Sequence, residues 1–256
     1  MRSLNESPSP MNLATLSVEE IRNRLIQSRA EKGEAQPLDL YQVTRPRNLP
    51  LSFAQQRLWF LSQMEGASEA YNESICLRIR GPLDEAILGK VLNRLVWRHE
   101  TLRTTFKEVE GEPTQVIGPR DLGIELKRHV LTEGTSLEEC LTSLGRLEIE
   151  TSFDLANAQP IRATLVRIAK QDQVLLLVTH HIASDGWSMN ILAREIRALY
   201  SAFARDEDDP LPPLSQQYAD YAIWQRQWLS GAKLNEQRDY WHRTLAGAPE
   251  IGRAHV

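Results

Sequence analysis

An unbroken aliphatic run, Val174-Leu175-Leu176-Leu177-Val178, leads through Thr179 directly into two histidines, His180-His181. The run is too short to cross a bilayer. Bounded as it is by polar residues, it reads as a buried strand, which needs other elements packed around it. Next come Ile182-Ala183-Ser184-Asp185-Gly186 and then a helical pattern over residues 187–205. Two histidines at a strand end, followed by a loop holding Asp and Gly, form a seat suited to proton-transfer chemistry, because imidazole titrates near neutrality.

The surrounding pattern alternates strands with helices. Residues 52–64 read as a helix with Phe53, Leu58, Phe60 and Leu61 apolar, and residues 74–80 alternate as a strand. Residues 83–99 form an amphipathic helix with Leu83, Ile87, Val91, Leu95 and Val96 on one face. Residues 102–109 and 114–117 flank Glu110-Gly111-Glu112, which predicts a hairpin. A strand over 124–131, a capping box at Ser136–Glu139 opening a helix to about 147, and strands over 161–168 and 173–179 follow. Helices over 216–229 and 235–245 close the chain. This order predicts an α/β (α+β) class with a mixed sheet flanked by helices. Ahead of it, residues 1–16 read as disordered, Ser17-Val18-Glu19-Glu20 caps a short amphipathic linker helix to about 30, and the Pro-containing stretch to residue 50 reads as a tether, so folding is expected to start near Leu51.

The chain has 256 residues, 41% hydrophobic and 25% charged, with net charge −4. That suffices for a sizeable core and gives no reason to expect nucleic acid or an anionic membrane as partner. The N-terminus carries no apolar signal-like stretch, and Cys76 and Cys140 show no metal or redox spacing. A cytoplasmic protein with free thiols is expected. Taken alone, the histidine pair reads first as histidines without a role. A metal site is disfavoured because adjacent strand residues point to opposite faces and no third ligand is evident.

Four stretches then change the weighting. Ser52-Phe53-Ala54-Gln55-Gln56-Arg57-Leu58-Trp59-Phe60-Leu61, Arg98-His99-Glu100-Thr101-Leu102-Arg103-Thr104-Thr105-Phe106, His180 to Gly186, and Tyr218-Ala219-Asp220-Tyr221-Ala222-Ile223-Trp224 resemble, in order, the SxAQxRLWxL, RHExLRTxF, HHxxxDG and YxDYAxW motifs of the condensation domains of non-ribosomal peptide synthetases. Ser184, Trp187 and Ser188 extend the third match. The resemblance covers residues 51–249 and implies a chloramphenicol acetyltransferase-like lobe, half of a V-shaped pseudo-dimer. The HHIxSDGWS variant looks most like domains joining two L-configured residues. The resemblance implies amide-bond formation by attack of an acceptor amine on a carrier-bound thioester. Epimerisation domains, ester-forming relatives and a non-catalytic lobe that only docks a carrier remain the alternatives. Its partners are the upstream and downstream peptidyl carrier domains, the C-terminal lobe and an adenylation domain. Substrates ride on phosphopantetheine, and no cofactor or metal is bound by the lobe itself.

By the same resemblance His181 faces the substrate tunnel and carries the chemistry, as a base or as a group orienting the amine, while His180 packs inward. Asp185 either orients His181 as in a triad or, the preferred reading, forms a structural ion pair with a buried arginine, for which Arg57 and Arg103 are candidates. Gly186 lets a backbone approach at a helix N-terminus, near the pantetheine arm or a developing oxyanion. Ser184 and Trp187 support the site. His99 is expected to cap or bond locally, Trp59, Trp97 and Trp224 to sit in the core, and Tyr218 and Asp220 to be structural hydrogen-bonders. The last residues, Ile251-Gly252-Arg253-Ala254-His255-Val256, depart from the family pattern. They resemble the translation of a common sequencing adapter, so residues 251–256 are expected to be a non-native tail on the first lobe of a domain whose second lobe is missing, and His255 receives no weight.

Overall fold

The computed structural model describes residues 43–64, 68–131 and 136–248. The expected disordered start, linker helix, most of the tether and the tail lie outside the described residues. Along the chain run β1 (Leu49–Pro50), α1 (Phe53–Ser62), a 3-10 turn (Glu69–Tyr71), β2 (Asn72–Arg80), α2 (Glu85–Arg98), a second 3-10 turn (Glu100–Arg103), β3 (Thr104–Val109), β4 (Glu112–Ile117), β5 (Leu126–Val130), α3 (Leu137–Glu150), β6 (Ile161–Ala169), β7 (Asp172–His180), α4 (Gly186–Phe203), α5 (Tyr218–Trp228) and α6 (Gly231–Thr244).

The aliphatic run is β7, and it lies inside a four-stranded sheet of order β2-β7-β6-β5. β7 pairs antiparallel with β2 and β6, while β5 runs parallel to β6. A parallel pair needs a crossover, and α3 supplies it. Period-two alternation explains why β7 is apolar throughout. Leu175 and Leu177 pack against Leu88, Val91, Leu92 and Leu95 of α2 and Met189, Leu192, Ile196 and Leu199 of α4. Leu176 and Val178 meet Leu51, Leu58, Phe106 and Phe153 on the other face, and Val174 meets Val166 and Cys140. Each fully buried side chain of this size contributes roughly 1.5–3 kcal/mol.

The mixed sheet flanked by helices is therefore present, but it is joined by a second, antiparallel sheet of order β1-β4-β3. Its hairpin turns at Glu110 (φ 56°) and Gly111 (φ 83°). Two consecutive positive φ values suit the right-handed twist of the flanking strands, and glycine takes one of them without steric cost. β1 extends order upstream of Leu51. Arg45 reinforces this, reaching Asp220 at 2.7 Å and Glu100 at 2.9 Å, so the expected tether is docked along its last residues.

Other expectations need correction. On α2, Leu88 and Leu92 complete the buried stripe, whereas Ile87 and, just ahead of the helix, Leu83 lie at its half-buried rim. Trp97 is 41% exposed and not core. Its ring takes the guanidinium of Arg94 at 3.9 Å and that of Arg120 at 4.9 Å. Trp59 and Trp224 are only half-buried, and Trp224 stacks on Trp228 with ring centroids 5.4 Å apart. Cys76 is exposed, Cys140 buried, and both are free. Among the described residues no helix is long and apolar enough to cross a membrane.

Candidate active site

β7 delivers the two histidines to different environments. His180 shares strand parity with Leu176 and Val178, so its side chain enters the core side of the sheet, where it has no exposed surface. Phe153 meets the ring edge-on at 6.2 Å between centroids, and Tyr71 lies tilted at 6.4 Å. Its Nδ1 accepts the Ile182 N–H at 3.1 Å, which places the ring proton of the neutral form on Nε2. Burial, with the neighbouring His181 charge adding to it, pushes the His180 pKa from 6.5 down to about 4 against a weaker opposing contact from the Ser68 backbone. His180 is thus a neutral ring at pH 7, holding the turn that follows.

That turn aims His181 elsewhere. Ala183 N–H donates to the His180 carbonyl at 2.9 Å and His181 N–H to the Tyr71 carbonyl at 2.8 Å. The His181 side chain keeps 38% of its surface accessible, and its Nδ1 lies 3.0 Å from Oε1 of Glu73. The two rings are separated as strand geometry requires. Among the described residues no group of three or more His, Cys, Asp or Glu side chains is placed to hold a metal ion.

The loop is then fastened to α4. Ser184 Oγ and Thr179 Oγ1 are 2.5 Å apart. Asp185 is the N-cap of α4, accepting from Ser188 N–H at 2.8 Å and from the Ser188 hydroxyl at 2.6 Å. These bonds, led by the hydroxyl, hold its carboxyl below the usual carboxylate range. The expected ion pair between Asp185 and a buried arginine does not form among the described residues. Arg57 is exposed. Arg103 is buried but occupied, donating to the Gly118 carbonyl and lying 3.6 Å from Glu100. A capping carboxylate spends its lone pairs on backbone and hydroxyl donors, which is why a loop Asp directly before a helix stays there. Gly186 opens α4 with nothing within 4 Å of the position a Cβ would take. This lobe alone does not require glycine there. Trp187 is 76% exposed.

The other motifs build the support. Gln55, buried on α1, donates to the Ile182 carbonyl at 3.4 Å and to Oε1 of Gln115 at 3.3 Å, and Gln115 donates to the Pro50 carbonyl at 2.7 Å. Ser52 caps α1 and lies 3.0 Å from the Tyr218 hydroxyl. Asp220 closes a capping box on Gln217 while binding Arg45. His99 caps α2 through its backbone, its N–H donating to the Leu95 carbonyl at 2.9 Å, but its side chain reaches farther: Nε2 meets Glu195 of α4 at 2.6 Å, beside Arg98 at 3.1 Å from the same carboxylate. Sequence reading missed Gln55 as a loop anchor and Glu73 as a neighbour of His181. Gln55 lies inside the first of the four motifs; Glu73 is joined to His181 only by strand pairing, which no local spacing reveals. A cavity of about 640 Å³ lined by Lys90, Arg94, Trp97, Arg120 and Phe203 includes neither histidine, so the chemistry is placed by side-chain type and not by cavity size.

Comparison with known proteins returns one consistent picture. Residues 46–251 match the family model described as Condensation domain. The chain is similar to Malpibaldin synthetase of Mortierella alpina, 46% identical over 207 residues that span 81% of this chain and 4% of that protein. It is similar to the Dimodular nonribosomal peptide synthase of Bacillus subtilis, 39% identical over 216 residues, 82% of this chain and 9% of that protein. The chain thus spans only a small part of the length of these curated relatives. Among solved structures it resembles the X-domain from teicoplanin biosynthesis with TM-score 0.73 and 33% identity, over 82% of this chain and 46% of that one. The first condensation domain of the CDA synthetase shares the fold at TM-score 0.69 and 22% identity, over 82% of this chain and 50% of that one.

Proposed function

Because residues 46–251 match that family model, the chain belongs to the condensation-domain family, and we propose that it is the first of two lobes of a condensation domain in a modular peptide synthetase. It spans 46% and 50% of the two solved relatives compared above. The single observation that carries the catalytic reading is the split of the histidine pair. His180 is buried and neutral behind the strand end, and His181 is half-open beside it.

In this reading the acceptor's α-ammonium loses one proton, its nitrogen bonds to the donor carbonyl carbon, and as the carbon–sulfur bond breaks a second nitrogen proton passes to the departing sulfur, which leaves as the thiol. His181 takes the first proton or holds the amine in line. The open space at Gly186 leaves its own backbone N–H, at the start of α4, to meet a developing oxyanion, while Asp185 takes the Ser188 N–H. Donor and acceptor ride on phosphopantetheine of the flanking carrier domains, without a metal or bound cofactor. The HHIxSDGWS variant supports an L-configured donor and acceptor. The second lobe and an adenylation domain complete the module in the cytoplasm. Exposed Leu234, Tyr240, Trp241 and Leu245 on and just after α6 support packing against a further body.

The test is His181→Ala in the full synthetase carrying this chain, with both carriers loaded. The expected result is loss of condensation by about 10²–10⁴-fold with carrier binding unchanged. Condensation at near wild-type rate overturns the mechanism, and an epimerised donor with no new amide bond points to the epimerisation alternative.

A further inference from the structure

We propose that Glu73 is the positioning residue of His181: its carboxylate holds the proton on Nδ1 and leaves Nε2 as the basic nitrogen turned to substrate. The proposal rests on the reading of His181 above. β2 starts where β7 ends, with Asn72 opposite His180 and Glu73 opposite Thr179. The start of β2 is pinned from two sides. The Asn72 side chain donates to the Ile149 and Thr151 carbonyls at 2.7 and 2.9 Å, and the Tyr71 carbonyl accepts the His181 N–H. Backbone tethers on both partners therefore set the 3.0 Å approach of Glu73 Oε1 to His181 Nδ1.

Polar accounting points the same way. His181 Nδ1 and Glu73 Oε2 are buried atoms with no hydrogen bond of their own, and His181 Nε2 is not among the buried unpaired atoms. Buried polar groups are almost always paired, and His181 Nδ1 lies 3.0 Å from the Glu73 carboxylate. The approach at Oε1 is oblique to the ring N–H, the loose geometry common before substrate arrives, and rotation about the broad His χ2 torsion aligns it. Two other titratable groups interact with His181: His180, neutral at pH 7, and Asp185, whose carboxylate is engaged by Ser188. Glu73 is thus the carboxylate placed to fix the tautomer and to stabilise the imidazolium formed when Nε2 takes a proton.

The first readout is the tautomer of neutral His181, by long-range ¹H–¹⁵N spectra of this chain, for wild type, Glu73→Met and Glu73→Gln. The Nδ1–H form should dominate in wild type and in Glu73→Gln, whose amide oxygen still accepts, and should give way to the Nε2–H form in Glu73→Met. An unchanged Nδ1–H population in Glu73→Met overturns the proposal whatever happens to turnover. The second readout is condensation in the full synthetase. Glu73→Met should lower kcat by up to about 10²-fold with KM little changed, and Glu73→Gln should recover part of the loss. A rise in KM alone, with kcat intact, also overturns the positioning role. Failure of the separate His181→Ala test would instead sink the reading of the site while leaving the tautomer result standing.

Discussion

Replacing His180 by glutamine should remove a specific acid sensitivity of the fold. The wild-type ring titrates near 6.5 when unfolded and at about 4 when buried. Above pH 6.5 neither state binds the proton and the group contributes nothing. As pH falls, the unfolded chain accepts a proton that the buried ring refuses, so stability drops with slope ~1.36 kcal/mol per pH unit until the native pKa is passed. The integral is about 2 kcal/mol between pH 7 and pH 5 and about 3 kcal/mol at its limit. Glutamine keeps an oxygen for the Ile182 N–H and has no titration. The assay is urea unfolding of both proteins at pH 7 and pH 5, with free energies from linear extrapolation. All other carboxylates and histidines are shared, so the difference between the two pH responses isolates residue 180. Glutamine should cost stability at pH 7 through poorer packing against Phe153 and Tyr71, yet lose about 2 kcal/mol less on acidification. Identical pH responses would refute the assignment of His180 as a buried neutral ring.

Two further outcomes concern the loop's supports. Gln55→Leu leaves the Ile182 carbonyl and Gln115 Oε1 without their donor and should cost about 1–3 kcal/mol in urea unfolding, with a larger fractional loss of condensation than of stability because the turn behind His181 loosens. Asp185→Ala should cost about 1 kcal/mol as a lost N-cap, and Asp185→Asn should restore most of it. If Asp185→Asn folds like wild type but condenses as poorly as His181→Ala, Asp185 acts on the imidazole and the capping account is incomplete.

Much of this fold was legible in local pattern, and most of the misses have one cause. The hairpin was readable because Glu110-Gly111 demands a tight turn, and β7 because an unbroken aliphatic run is a buried strand. The capping box at Ser136 likewise announced α3, whereas the one at Ser52 that opens α1 went unread. What failed was pairing between distant segments. Nothing local says that β1 and the hairpin form their own sheet, that His99 reaches Glu195, or that Glu73 lies beside His181. Trp97 was misplaced because a helix position that suits packing also suits two flanking arginines, and the Arg120 partner comes from a loop. Asp185 was read as a structural acid but its partner was not legible, because a motif specifies that an acid is needed without saying whether its duty is to a guanidinium or to the first turn of a helix. At the site itself the strand alternation sufficed to separate His180 from His181; the carboxylate beside His181 came only with register.

The burial of β7 on both faces also sets where motion is allowed. Its amides are paired with β2 on one side and β6 on the other, and its last N–H, that of His180, is held by Pro160. Hydrogen exchange there requires the sheet itself to open, so β7 belongs to the slowest-exchanging unit of the lobe. His181 is attached one residue beyond that unit. The backbone of His181 is therefore a fixed post on which the imidazole can only turn, and larger adjustments between substrates of different shape fall to whatever approaches it from the open side.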